Sequence, residues 1–461
     1  MIGPNRLKLS FFALCSCSLF AQQSVQTPLT IEQAVNQAAQ FPSIAAAQEQ
    51  VNAAAAGIRL ARTNYLPSVN AVGQVNRATR NNVFGLLLPQ TVIPSMSGPV
   101  LGTNNGTTVW GSAAGVLVSW EPFDFGRRHA LIQSAQATQD RTRLSTERTR
   151  FDIQTSTAAA FLTLLASEQT VRVAQTSIDR AQVVVNVVKA LVDAKLRPGA
   201  DLSRADTELH AAMTQLLQAQ QSSAVAKTSL AEFTGTDAKT FSALPGHLLD
   251  GLPETVFEGT GDLSKNPSAQ EQEGVITESK SKVDVLQHTY RPTFELQAAA
   301  YGRGSGALAN GQTFGGTGGL APNYFNVGVG FTVNFPLLGL PSIRAQQAQA
   351  AALERSAAAT YRQILANLQA QSNAAQATLD EARQIAAVTP KEVEDARTGF
   401  AQANAQYRAG LATIVALAEA QRLLAQAEID DSLARLAVWR AVLQLGNAQG
   451  DITSFLREAS R

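Results

Sequence analysis

The sequence predicts a mainly α-helical fold with a smaller β portion, in which long antiparallel coiled-coil helices are joined to four membrane-spanning strands per chain. Three observations predict it. From Arg127 to Arg197 there is no glycine and no proline, and the run is bracketed by Gly126 and by Pro198-Gly199. Those two residue types punctuate helices most strongly, so the run reads as one helix roughly 100 Å long. Four other segments alternate apolar and polar residues with period two. Finally, the chain states its landmarks twice.

Taken in order, residues 1–21 carry Arg6 and Lys8, the short apolar run Leu9 to Leu14, and small residues ending at Ala21, the pattern of a secretory signal peptide. Both cysteines of the chain, Cys15 and Cys17, lie inside it, so cleavage after Ala21 leaves no thiol. The alternative is lipid attachment at Cys17, with Leu14 and Ser16 at the positions that a lipoprotein signal favours. Beyond the leader no run of 18 apolar residues occurs, and no membrane-spanning helix is expected. Across 461 residues, 37 basic side chains nearly balance 36 acidic ones, which gives no reason to expect a nucleic-acid partner.

Residues 22–235 form a first repeat. Thr30-Ile31-Glu32-Gln33 has a capping-box pattern, and Phe41-Pro42 should end the short helix that it opens. A helical stretch then runs from Pro42-Ser43 to Tyr65-Leu66-Pro67. Its counterpart runs from Pro267-Ser268 to Tyr290-Arg291-Pro292, so both landmarks recur at one constant offset, 42 to 267 and 65 to 290. Each is followed by a strand hairpin, at about 66–121 and 292–335, closing on Pro122 or Pro336. Long helices are expected over 127–197 and 342–407, with return helices over 200–234 and 411–445. The turns between them read Leu196-Arg197-Pro198-Gly199 and Tyr407-Arg408-Ala409-Gly410, and Gly199 and Gly410 are expected to supply positive φ. A polar linker, 236–262, joins the first repeat to the second, 263–446, and 447–461 is left as a C-terminal tail.

The return helices show what they pack against. Leu202, Leu209, Leu216, Ser223 and Leu230 recur every seven residues beside Ala205, Ala212, Ala219, Ala226 and Phe233. Leu417, Leu424, Val438 and Leu445 repeat the pattern beside Ala420, Ala427, Ala434 and Ala441, with Asp431 interrupting the large row. Large and small residues three apart make a coiled-coil seam. Pro390 and Gly399 predict a kink or break in the second long helix.

Among the strands, Phe325, Val327, Val329, Phe331 and Val333 alternate with polar residues or glycine. Phe294, Leu296, Ala298 and Ala300 share one face, as do Trp110, Ala114, Val116, Val118 and Trp120, and Val69, Ala71 and Val75. This matches strands with one face in lipid, although a soluble sheet packed on a core would alternate likewise. Four strands leave open edges that lipid cannot satisfy, so closure requires further copies. Two copies give eight strands and a filled interior; three give twelve, and a trimer is the smallest assembly with a passage.

From about Thr30 to Gly446 the chain resembles the TolC-like outer-membrane efflux factor family. The resemblance rests on the duplicated order of elements, on Tyr65-Leu66-Pro67, on Trp120-Glu121-Pro122-Phe123-Asp124-Phe125-Gly126-Arg127, and on the two hairpin tips. It implies a homotrimer of a Gram-negative bacterium, with a twelve-stranded barrel in outer-membrane lipid and a periplasmic helical tunnel. It also implies that the tips meet a periplasmic adaptor (membrane fusion protein) of an inner-membrane pump and open by shifting the helices. Carried over by position, the adaptor contacts are Arg197, Pro198, Gly199 and Ala200 on one tip and Arg408, Ala409, Gly410 and Leu411 on the other. Tyr407 and Glu419 fall at gate positions, and Asp201 and Asp206 are candidate charges beside them, with Arg204 and Glu208 nearby. Ala412 and Ala416 stand where the family's best-known member has an arginine and a further acid, so a gate held by the same salt bridges is not expected here.

Nothing points to catalysis. His129, His210, His247 and His288 lack metal-ligand spacing, and Gly302-Arg303-Gly304-Ser305-Gly306 follows a strand without opening a helix, as a hairpin loop would. The other hairpin loop spans about 77–108 and contains Asn104-Asn105-Gly106. The reading is a passive export duct with no catalytic residue, cofactor or metal; its rival is a periplasmic coiled-coil adaptor or structural protein without a barrel.

Overall fold

The computed structural model describes residues 27–79, 108–253, 261–308, 312–335 and 339–460. The leader, the candidate lipid site Cys17, Asn104-Asn105-Gly106 and Pro336 lie outside the described residues.

The first half contains β1 (Thr27–Leu29), α1 (Ile31–Gln37), α2 (Pro42–Thr63), β2 (Ser68–Thr79), β3 (Thr108–Phe123), α3 (Arg127–Asp193) and α4 (Gly199–Thr234). Next come β4 (Phe241–Ala243) and α5 (His247–Asp250), and then the second half: α6 (Pro267–His288), β5 (Thr293–Ser305), β6 (Tyr324–Asn334), α7 (Leu340–Arg408) and α8 (Ile414–Gln449), with α9 (Thr453–Ala459) last. The Thr30 and Gln33 side chains cap α1 reciprocally, and proline at the first position starts both α2 and α6.

With 67 and 69 residues, α3 and α7 are each roughly 100 Å long. Each lies against its own return helix, and α3 also packs on α6 and α8, joining the halves side by side. The main core sits midway along these rods, where Phe161, Leu162, Leu164 and Leu165 of α3 meet Leu230, Phe241, Trp439 and Phe455. Residues 236–253, read from sequence as part of a linker, therefore pack into this core. Its β4 pairs in parallel with β1, and Gly251 O accepts from Trp439 Nε1 at 3.1 Å. The C-terminal tail likewise buries Ile452, Phe455 and Ala459 in this core.

Three further details depart from the sequence reading. No break interrupts α7 at Pro390 or Gly399. The missing N–H costs one helical bond, but α8 packs alongside, and buried Thr389 donates from Oγ1 to Asp431 Oδ1 at 3.0 Å, which also explains the acid in the large row. Second, α8 runs through Gly446 to Gln449: a Cβ on Gly446 would sit 2.7 Å from Asp451 O, so that glycine permits close approach, while Gly450, at φ 83°, ends the helix. Third, the two turns match with Leu196 on Leu411, an offset of 215, and not with Gly199 on Gly410, which would be 211. Leu196 N bonds Leu191 O and Leu411 N bonds Gln406 O, with Lys195 (φ 57°) and Gly410 (φ 79°) in the left-handed position. Gly199 is the first residue of α4 and has no positive φ. Arg197 thus corresponds to Ala412, and Tyr407 to Val192.

The second sheet has the order β2-β3-β5-β6, antiparallel throughout. Val69 opposes Val118, Val118 opposes Ala298, and Ala298 opposes Val329, so one apolar row runs across all four strands.

Candidate functional site

Two places on the molecule carry chemistry beyond packing. The first is the outward face of the sheet. Phe325, Val327, Val329 and Phe331 are 61–78% exposed, and Val69 and Val75 on the opposite edge strand are similarly uncovered. Among the described residues no element lies over them; the small core of this sheet, Ala113, Leu117, Ala299 and Tyr301, is on the other face. Aromatic residues mark both ends of the band, Trp110 and Phe325 at one and Trp120, Phe123 and Phe294 at the other. The stretch from Trp110 to Trp120, tilted as barrel strands are, spans about 25 Å, the thickness of an outer-membrane apolar band.

The sheet turns into α3 through Asp124-Phe125-Gly126. Phe125 (φ 50°) and Gly126 (φ 93°) both take the left-handed backbone conformation at this junction. Arg128 and Asp124, 3% and 8% exposed, form an ion pair at 2.8 Å. Asp124 also accepts the backbone N–H groups of Gly126 and Arg128, and Arg128 donates to Asn64 O and lies over the Tyr65 ring. Burial pushes the Asp124 carboxyl up, but the Arg128 and Gly126 hydrogen bonds outweigh it and hold the group below the usual carboxylate range. Thus the Tyr65 and Trp120–Arg127 stretches meet in one joint that fixes the angle between sheet and rod.

The second place is the pair of hairpin tips. Tyr407, fully buried, sits among Val184, Val188, Leu209, Ile414 and Leu417. Its hydroxyl donates to Asp201 Oδ2 at 3.0 Å. Arg197 covers the ring at 4.5 Å and donates to Tyr407 O at 2.8 Å and Ala412 O at 3.1 Å. One tip therefore grips the other through a ring, a carboxylate and a guanidinium. Burial and the Asp201 carboxylate push the phenol up to about 12, against the opposing Arg197 charge. The hold continues up the rods: Arg422 pairs with Glu208, and Arg180 with Glu428, whose Nη1 and Oε1 are 2.9 Å apart.

Of the candidate gate residues, Asp201 and Tyr407 come together, while Glu419 is exposed and neither it nor Asp206 forms an ion pair among the described residues. Arg197, read from sequence as a tip contact, also joins this cluster. Arg408 lines an apolar groove of about 270 Å³ between α3 and α7 with Val183, Val187 and Phe400. Pro198, Gly199, Ala200, Ala409, Gly410 and Leu411 lie at the turns, with Leu411 82% exposed. Thr413, which caps α8 by accepting from Ala416 N, escaped the sequence reading; a threonine four residues before Leu417 was its signal.

A family profile described as outer membrane efflux protein matches residues 34–236 and 262–451. The pyoverdine export outer membrane protein OpmQ of Pseudomonas aeruginosa is 23% identical over 351 residues, 76% of this chain and 72% of that one. OpmQ of Pseudomonas putida is 26% identical over 342 residues, 73% and 70% of the two chains. Among solved structures, CusC superposes with a TM-score of 0.75 at 14% identity, covering 94% of this chain and 96% of that one, a likeness of fold.

Proposed function

Since this chain belongs to the outer membrane efflux protein family and is located in the outer membrane, we propose that it is the exit duct of a tripartite efflux or type I secretion system. Three copies would close a twelve-stranded barrel, and their rods would continue its wall through the periplasm as a passive passage. The observation that carries this is the uncovered apolar face across β2, β3, β5 and β6 in a sheet whose edge strands pair with no further strand among the described residues, directly continuous with helices roughly 100 Å long. An adaptor's packed coiled coil would cover that face with its own chain.

The tips are the proposed gate, with Asp201, Tyr407 and Arg197 as its latch, and the Arg408 groove is the proposed seat of the periplasmic adaptor. Energy for transport comes from the inner-membrane pump. The relatives' export of pyoverdine supports a small secreted molecule as cargo. The test is fractionation and complementation: the protein should be recovered from outer membranes as a heat-sensitive trimer and restore export in a strain lacking it. A soluble monomer would remove the duct.

A further inference from the structure

Two grooves run between the hairpins. The Arg408 groove is walled by the outgoing helices α3 and α7. A second groove, of about 720 Å³, is walled by the return helices α4 and α8 and floored by Val173, Ala174 and Ser177 of α3. Each outgoing helix lies against its own return helix, so one groove opens on the outgoing-helix face of the paired hairpins and the other on the return-helix face. With the adaptor seated outside at Arg408, the second groove opens into the passage. It begins at Glu208, about 14 Å along α4 from its tip, and reaches Ser222, a length of about 20 Å.

The chemistry of this groove is that of amides. Its charge at the tip end is neutralised within a pair, since Arg422 Nε donates to Glu208 Oε2 at 3.1 Å. Above the pair, α4 contributes Gln215 and Gln218, and α8 contributes Gln421 and Gln426. Gln426 is engaged along its own helix, where its amide donates to Asp430. Gln421 and Ser177 are different. They are 9% and 7% exposed, both line the groove, and neither side chain forms a hydrogen bond among the described residues. Buried carboxamides and hydroxyls are ordinarily satisfied, so two helices here aim unmet donors and acceptors into one space.

We infer that the groove is a cargo subsite for a neutral, amide-bearing chain such as a short peptide. This rests on the duct reading above and adds the class of cargo and the place where it touches the wall. A carboxamide supplies an acceptor and two donors, which match the carbonyl and N–H of a peptide unit. At about 3.3 Å per residue, an extended peptide of roughly six residues fills the groove from end to end. Ala212 and Ala219, on the wall between the glutamines, leave room for its backbone to approach. Affinity is low, because a conduit must release what it binds.

The probe is acetyl-(Ser-Gly)3-amide, added to the purified trimer of the full chain in detergent and followed by broadening of its amide proton signals. In planar bilayers the same peptide is scored by brief blocks of the single-channel current. Both signals should appear with the parent, and a polyethylene glycol dimethyl ether of equal length, which has acceptors and no donors, should give neither. Gln421→Leu should weaken binding and shorten the blocks by about threefold to tenfold, the loss of one neutral hydrogen bond or two. Should that buried variant fail to assemble, Gln218→Leu on the exposed wall reads the same loss, while Gln220→Leu, on α4 outside the groove, should match the parent. Equal binding by the parent, Gln421→Leu and Gln218→Leu overturns the subsite, as does an ether that blocks as well as the peptide. Broadening without current block overturns its place in the passage. A protein that forms no trimer and no channel overturns the duct reading instead.

Discussion

Replacing Tyr407 with phenylalanine removes one hydrogen bond from the tip latch and leaves the rest of it in place. The ring stays packed against Val184, Val188 and Leu209, and Arg197 still lies over it with two backbone carbonyls to hold. What is lost is the 3.0 Å bond from the hydroxyl to Asp201 Oδ2. A bond to a charged group contributes about 1.5–3 kcal/mol net, and Asp201 is partly exposed, so water recovers part of this. A cost of about 1–2 kcal/mol per chain remains, a factor of about 5–30 in the balance between latched and unlatched tips. Tyr407→Ala would mix this with about 3–5 kcal/mol of lost packing, so phenylalanine isolates the latch. The assay is single-channel conductance in planar bilayers, with entry of a large antibiotic as the cellular readout. Conductance and sensitivity should both rise in Tyr407→Phe while the trimer remains intact. The pH arm has a definite sign. A phenol raised from 10.0 to about 12 favours the latched state fully below pH about 10, and that contribution fades as pH climbs toward 12. The parent should therefore open in that window and the phenylalanine variant should show no such step. Identical conductance of the two proteins at pH 7 would refute the latch.

Other outcomes follow from the same geometry. Gly410→Val forces a β-branched residue to φ 79°, costing at least about 1–2 kcal/mol, and should impair export, whereas Gly199→Ala at the open first turn of α4 should leave it unchanged in a drug-tolerance assay. Asp124→Ala strands the buried Arg128 charge at a cost of about 3–5 kcal/mol, visible as less heat-resistant trimer in outer membranes. Because the Asp124 carboxyl is held below its ordinary value of 3.8, the parent's contribution from this pair persists above that pH and is lost as pH falls beneath it, which thermal melts in acid will register. Val329→Lys, midway along the exposed face, should cost about 2–4 kcal/mol and abolish membrane assembly, while Thr332→Lys on the other face should assemble normally by heat-modifiability gel.

The rods, the hairpins and the apolar faces were readable because each is a local pattern: absence of glycine and proline all the way from Arg127 to Arg197, period two, and period seven. The turns were harder. Pro198-Gly199 and Ala409-Gly410 look alike as text, but the backbone reverses at Lys195 in the first hairpin, where no glycine advertises a positive φ. The heptad rows already carried the correct offset, since Leu202 falls on Leu417 and Ala205 on Ala420. Arg197 was legible as a tip residue but not as a lid on Tyr407, because that contact joins positions far apart in the chain, one in each half. Asp431 looked like a flaw in a seam and is instead answered by Thr389 and Arg435. Partners contributed by distant segments leave no trace in local periodicity.

The change of offset from 225, Pro42 to Pro267, to 215, Leu196 to Leu411, also locates where the duplicated halves were free to diverge. It occurs between β2 and β3 on one side and β5 and β6 on the other. Positions 80–107 lie between Thr79 and Thr108, and positions 306–323 between Ser305 and Tyr324, so the first connection is the longer by the same amount as separates the two offsets. Elsewhere length is held: α2 and α6 have 22 residues each, and α4 and α8 have 36. A rod that lost or gained residues would move its tip by about 1.5 Å for each. Arg197 would then no longer reach Tyr407 O and Ala412 O on the neighbouring hairpin. Length was thus fixed by the requirement that two tips meet at one level, about 100 Å from the strands.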